Sequence, residues 1–456
     1  MSNELKELQA AIEEIYETAS RLGLDYEDMR FELCPADILY TFGSYGMPSR
    51  FSHWSFGKSF HRLKTLYDYN LNRMYEMVIN TKPCYAFLLE GNSLLQHKLV
   101  VAHVLAHSDF FKHNVYMKRT NKDMMETMAV NAERIRQYEF KFGRAQVETL
   151  LDALLALQEH GDFSLWPGPE AKQEVNGKKL VSPYDDLWQL GLQEQNRETS
   201  LAKRRLPAHP EKDLLRFIGE HSPVLEEWQR DVLDMVREEI RYFWPQMQTK
   251  IINEGWATYW HLKIMRQLDL NETEAIEFGK MHAAVIQPSK FRINPYLLGL
   301  KIFQYLEQEQ STPALEQVFW ARTTENDISF LRSYLTPKII DELNLYVFQK
   351  AGVDWVIKDR RADAVKEHLI KSLFNCGIPV LFVEEADYRN RGELYLRHSY
   401  EGEELDVPYL EKTLPHVYLL WGRPVYLETV VEGKSMVFSY DGKKNFRHAG
   451  GSKALV

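Results

Sequence analysis

Residues 91–114, GNSLLQHKLVVAHVLAHSDFFKHN, read as one helix opened by an Asn92/Ser93 cap. Such side-chain oxygens accept bonds from the first amides of a helix, which have no partner within it. His103 and His107 lie four residues apart on it. That spacing is about one turn, so the two imidazoles share a face with about 6 Å between them. It is the ligand spacing of the HExxH zinc motif. Here the run is H-V-L-A-H, and Val104 occupies the position where a metalloprotease keeps its glutamate base. The ligand half of that motif is present and the proton-accepting half is absent. Two histidines at this spacing also occur as ordinary packed or surface residues, so their surroundings matter: His97 and His113 flank the pair and Asp109 follows it.

A second helical segment, TKIINEGWATYWHLKIM at 249–265, places Glu254 and His261 seven residues apart, two turns along one face, among Trp256, Tyr259 and Trp260. A carboxylate in so aromatic a setting is costly to bury unless it is paired or bound to a metal. His103, His107 and Glu254 are therefore the candidate ligands of a divalent metal, zinc by donor type, with one coordination position left open. The competing reading pairs Glu254 with Lys250, one turn away. His282, in GKMHAAVIQPSKFRINPY at 279–296, is a further candidate, with a backbone-bonded core histidine as the alternative. His53, Trp54, Lys58 and His61, in SHWSFGKSFH at 52–61, have no phosphate-loop context and read as a cap on the helical core.

The rest of the chain sets the frame. With 24 Tyr, 23 Phe and 10 Trp, its 456 residues can bury large surfaces, which argues against extended disorder. A net charge of −9 makes nucleic-acid binding an unexpected role. The three cysteines, Cys34, Cys84 and Cys376, are far apart and suit a reducing compartment. The N-terminus reads as an amphipathic helix over Leu5–Leu22 without a signal-peptide pattern, and no apolar run reaches the roughly 18 residues of a membrane span, so a cytoplasmic location is expected. The expected class is mainly α, a large helical N-terminal domain followed by a small α+β C-terminal domain. Residues 34–60 read as loop-rich, and helices are expected at about 61–80, 121–139, 143–158, 213–220, 223–243, 271–286 and onward to about 350. The helical domain spans 1–350 with a linker-like stretch at 159–212 that includes the KRR run at 203–205; the α+β domain spans 355–445; and 446–456 form a tail.

Long blocks of this chain resemble the SpoVR family, the stage V sporulation protein R type. They include YGMPSRFSHWSFGKSFHRLK at 45–64, CYAFLLEGNSLLQHKLVVAHVLAHSDFFKHN at 84–114, PAHPEKDLLRFI at 207–218, EEWQRDVLDMVREE at 226–239, KIINEGWATYWH at 250–261 and INPYLLGLKIF at 293–303. GELYLRHSYEGEELD at 392–406 and LWGRPVYLET at 420–429 resemble that family's terminal domain, and the likeness covers roughly residues 5–435. The resemblance implies a role in sporulation, in forming the peptidoglycan cortex of the spore, alongside a PrkA-type serine protein kinase and a YhbH/YeaH-type protein. NEGWATYWH at 253–261 is also similar to the EGW-type segment of some helical zinc peptidases. Two functions follow. One is a zinc-dependent hydrolase of an amide bond in a peptide or peptidoglycan precursor, with His261, His282 or Asp109 supplying the missing base. The other is a non-catalytic scaffold or regulator of a sporulation or stress pathway.

Overall fold

Helix Leu94–His113 begins as the sequence predicts, with Ser93 as its cap: the Ser93 hydroxyl accepts from the Gln96 amide at 3.3 Å and the Gln96 side chain accepts from the Ser93 amide at 2.9 Å. Every residue from Val100 to Phe111 is buried. A helix buried on all sides belongs at the centre of a core, not on its surface. The computed structural model describes residues 3–69, 74–164, 206–289, 292–308, 314–352 and 354–450. These are mainly helical, with a five-stranded sheet in the C-terminal part.

Contacts divide the chain into two units, Met1–Arg144 with Glu238–Gly377, and Ala145–Arg237 with Ile378–Val456. The division differs from the expected boundaries at 1–350 and 355–445, because residues 145–237 group with the C-terminal region. Within that second unit Glu211 bridges to Val383 by backbone bonds of 3.0 and 2.7 Å, and the Ser222 hydroxyl donates to the Leu420 carbonyl at 2.6 Å. Such pairings over long sequence separations leave no trace in local periodicity. The linker-like stretch lies largely outside the described residues, as does the KRR run.

In the first unit helix Leu94–His113 packs against helix Lys250–Met265, which packs in turn against helix Pro295–Gln308. Helix Lys250–Met265 starts where the Asp327 carboxylate accepts from the Ile251 and Ile252 amides, both at 2.9 Å, a cap supplied from another helix. Its approach to Pro295–Gln308 depends on two glycines. A Cβ on Gly255 would lie 2.4 Å from the Gly299 Cα, and one on Gly299 would lie 2.4 Å from the Ile251 carbonyl oxygen.

Beside the helical core is a three-stranded sheet that the sequence reading missed. β1 (Met29–Cys34), β2 (Glu76–Ile79) and β3 (Cys84–Leu89) take the order β1-β3-β2, with β1 parallel and β2 antiparallel to β3. Residues expected to be helical to about 80 leave the helix at Asp68. The supposed loop at 34–60 contains helix Ala36–Tyr45, which ends at Gly46 with φ of +76°, and the start of helix Trp54–Asp68. Helix expected to run to about 350 gives way to the hairpin of β4 (Val347–Ala351) and β5 (Asp354–Asp359).

The second unit carries the sheet β10-β9-β8-β7-β6, built from β6 (Leu381–Tyr388), β7 (Glu393–His398), β8 (Val425–Val431), β9 (Lys434–Tyr440) and β10 (Asn445–Ala449). β7 and β8 are parallel and helix Val407–Trp421 connects them, as a crossover requires. The expected tail at 446–456 is corrected in part: β10 pairs antiparallel with β9. The last residues, 451–456, lie outside the described part. No described helix is long and apolar enough to cross a membrane.

One polar cluster locks the first unit together. Asp109, fully buried, accepts from Arg322 Nη1 at 2.8 and 2.7 Å, from Trp256 Nε1 at 3.1 Å and from the Asp25 amide at 2.9 Å. The guanidinium also lies over the Phe319 and Trp256 rings, 4.9 and 5.4 Å from their centroids. Replacing Asp109 by Ala strands a buried guanidinium and is expected to cost about 3–5 kcal/mol in denaturant unfolding. Gly299→Ala is expected to cost about 1–3 kcal/mol, because no side chain can yield where the obstacle is backbone.

Candidate metal centre

His103 and His107 point from helix Leu94–His113 toward helix Lys250–Met265, which runs in the opposite sense: His103 meets His261, whereas His107 meets Asn253 and Glu254. The Nε2 atoms of His103 and His107 are 3.1 Å apart. Glu254 Oε2 lies 3.7 Å from His103 Nε2 and 3.5 Å from His107 Nε2. Those contacts are too long for direct hydrogen bonds, and Oε2 is buried without a hydrogen-bond partner. Four ligands at about 2 Å from a tetrahedral ion stand about 3.3 Å from one another, so the three spacings fit one ion. Among the described residues, this is the group of His, Cys, Asp or Glu whose ligand atoms all fall within 4.8 Å of each other.

The alternative partner for Glu254, Lys250, is exposed. Lys250 acts electrostatically on Asp327. Burial pushes the Glu254 carboxyl up, but the two imidazoles outweigh it and hold the group well below the usual carboxylate range. Burial and the neighbouring His107 lower His103, whereas His107 ends above its ordinary value because Glu254 and Asn253 overcome its burial. The His103 and His107 side chains are 9% and 8% exposed and that of Glu254 is 20%.

The surrounding groups are ordered by hydrogen bonds. His107 Nδ1 lies 2.9 Å from Asn253 Oδ1, which fixes the proton on Nδ1 and leaves Nε2 as a lone-pair donor. His103 Nδ1 lies 3.1 Å from His261 Nδ1, and His261 Nε2 lies 3.1 Å from His282 Nδ1. Burial lowers both His261 and His282.

Two groups that the sequence reading did not single out belong here. The Tyr296 ring stacks on His103 with centroids 6.2 Å apart, and its hydroxyl interacts with Glu254. Burial, followed by the charges of Glu254 and Glu76, raises the Tyr296 hydroxyl above its ordinary range. Glu76, on the edge strand β2 in register with Leu88, acts electrostatically on His107 and is itself influenced by Glu254. Burial pushes its carboxyl up to about 7 against the pull of His107. Its segment, read as the end of a helix, offered no periodic signal for this placement. Asn253 was readable only as the neighbour of Glu254.

Of the three expected bases, His261 and His282 fall beside the centre. Asp109 does not: its carboxylate is held by Arg322 and Trp256. Val104 is fully buried among apolar core residues. His113 turns to Asp25, with Nε2 3.0 Å from Oδ2, and the buried His97 has no partner for Nδ1. His53 caps helix Trp54–Asp68, accepting from the Ser55 amide at 3.4 Å.

The family described as SpoVR like protein matches residues 2–378, and the SpoVR-like C-terminal domain matches 379–432. The two matches meet at 378/379, one residue beyond Gly377/Ile378, where the last segment of the second unit begins. An uncharacterized protein of Escherichia coli (strain K12), YcgB, is 30% identical over 484 residues, covering 94% of this chain and 93% of that protein. No solved structure matches. The chain belongs to the SpoVR family.

Proposed function

We propose that this protein is a zinc-dependent hydrolase of an amide bond in a peptide or peptidoglycan precursor, with His103, His107 and Glu254 as the ligands. The observation that carries the reading is the orphaned Glu254 Oε2, buried beside two imidazole nitrogens at 3.5 and 3.7 Å. An ion bound there polarises a substrate carbonyl and lowers the pKa of a water molecule toward about 7. Structural zinc sites are closed by four protein ligands, whereas a set of three, which leaves one coordination position open, suits a catalytic centre. The same centre in a non-catalytic regulator, working beside a PrkA-type kinase, would have no use for that opening. A role in sporulation and in the spore cortex rests on the family resemblance.

The base comes from outside the histidine helix. Glu76 is the candidate by its place, on the edge strand β2 and within electrostatic reach of His107 and Glu254, where burial raises its carboxyl. Tyr296, stacked on His103, is placed to donate toward a developing negative charge while its own proton stays firmly bound.

Elemental analysis of protein purified without a metal-binding tag is expected to find about one zinc per chain, lost in His103→Ala, His107→Ala and Glu254→Ala. Metal-free wild type, or variants that keep full occupancy, would overturn the ligand assignment. Glu76→Gln is expected to keep its zinc while hydrolysis of a peptide-amide pool falls about 10²–10⁴-fold. Undiminished hydrolysis would remove Glu76 from that role.

A further inference from the structure

The candidate ligand His103 is the inner end of a row of three imidazoles, followed by His261 of helix Lys250–Met265 and His282 of helix Glu272–Val285. Its Nε2 faces His107 Nε2 and Glu254 Oε2, at 3.1 and 3.7 Å, and is the nitrogen that a bound ion would take. The proton of the neutral ring must then sit on Nδ1. The Nδ1–H has an acceptor in His261 Nδ1 at 3.1 Å, and the Ala257 carbonyl also accepts from the ring. If His261 Nδ1 accepts, the His261 proton must be on Nε2, where it is donated to His282 Nδ1 at 3.1 Å. His282 then carries its proton on Nε2. Every bond in the row is satisfied by one sequence of tautomers, and reversing any ring places two donors or two acceptors against each other.

We infer that His261 and His282 are positioning residues of the metal centre, which hold His103 in the Nδ1-protonated tautomer and present its Nε2 lone pair to the ion. The inference rests on the metal-centre reading above. It removes His261 from the candidate bases, since one ring nitrogen accepts from His103 and the other donates to His282, leaving no lone pair for water. Asn253 performs the corresponding service for His107 with one amide oxygen. The two ligands of one helix are thus both oriented from helix Lys250–Met265, His107 by Asn253 and His103 by His261, with His282 of helix Glu272–Val285 behind His261.

The test uses full-length protein stripped of metal and titrated with Zn²⁺ alone against a chromophoric chelator. His261→Leu removes both hydrogen-bonding atoms and is expected to weaken zinc binding about 10- to 100-fold, the usual loss when a partner of a metal ligand is removed. His261→Gln keeps a carbonyl that accepts and an amide that donates, and is expected to restore affinity to within a few-fold of wild type. Imidazole ¹⁵N shifts of the metal-loaded protein report the tautomer directly: His103 should be protonated on Nδ1 in wild type and His261→Gln. A folded His261→Leu variant that binds zinc as tightly as wild type overturns the inference, as does a wild-type His103 protonated on Nε2. His282→Ala, at the half-buried outer end of the row, serves if His261→Leu does not fold. It is expected to weaken zinc binding, and wild-type affinity there counts against the row. Wild type that binds no zinc, or a His103→Ala variant that binds it equally well, defeats the metal centre itself, an outcome distinct from failure of the row.

Discussion

The two helices of the candidate centre are held in register by a carboxylate that takes no part in it. Asp109 lies two residues beyond His107, and Trp256 two residues beyond Glu254. Two residues along a helix turn the side chain by about 200°, so each pair places one member toward the centre and the other toward the opposite side of its helix. The Trp256 indole and the Arg322 guanidinium both donate to Asp109, tying helix Leu94–His113 to helices Lys250–Met265 and Ala314–Thr324. A buried ion pair is not in itself an efficient source of stability, since desolvation offsets most of its attraction. Its consequence here is positional. A slip of helix Lys250–Met265 by one turn would strand an arginine and a carboxylate in the core, so wrong registers are penalised by more than the loss of apolar packing.

The glycine crossing adds a second constraint of a different kind. Backbone meets backbone at Gly255 and Gly299, so the distance between helices Lys250–Met265 and Pro295–Gln308 has almost no freedom. Glu254 precedes one of these glycines, and Tyr296 lies three residues before the other. The carboxylate and the phenol are therefore positioned by a steric contact that no side-chain rearrangement can relax. Metal sites need ligand atoms placed within a few tenths of an ångström, and a constraint made of backbone supplies that more rigidly than packed side chains do.

How much of this was legible follows from how far each signal reaches along the chain. The histidine spacing and the cap at Ser93 lie within one helix, so periodicity exposed them. Glu254 could be singled out because a lone acid among tryptophans is chemically anomalous wherever the helix packs. The sheet of β1, β2 and β3 was hidden, since β1 and β3 pair across some 50 residues of intervening chain and the four residues of β2 are too few to show alternation. Asp109 was misjudged for a related reason. An acid beside two histidines looks functional in one dimension, whereas its true partner, Arg322, lies 213 residues away. Glu76 and Tyr296 carry no pattern at all, and only the fold brings them to the histidines.

That last point bears on the defect first visible in the H-V-L-A-H run. In an HExxH helix the base is locked to its metal ligands, because residue and ligands share one rigid element. Here Val104 is fully buried in the apolar core. A base recruited from an edge strand is free of that packing, and its burial can be set independently of the ligands. The same separation means that the ligand set can persist in a chain whose β2 segment has changed, keeping the metal while losing the proton acceptor. On the hydrolase reading proposed above, position 76 would therefore say more about the chemistry of a related chain than position 104, the one that the familiar motif draws attention to.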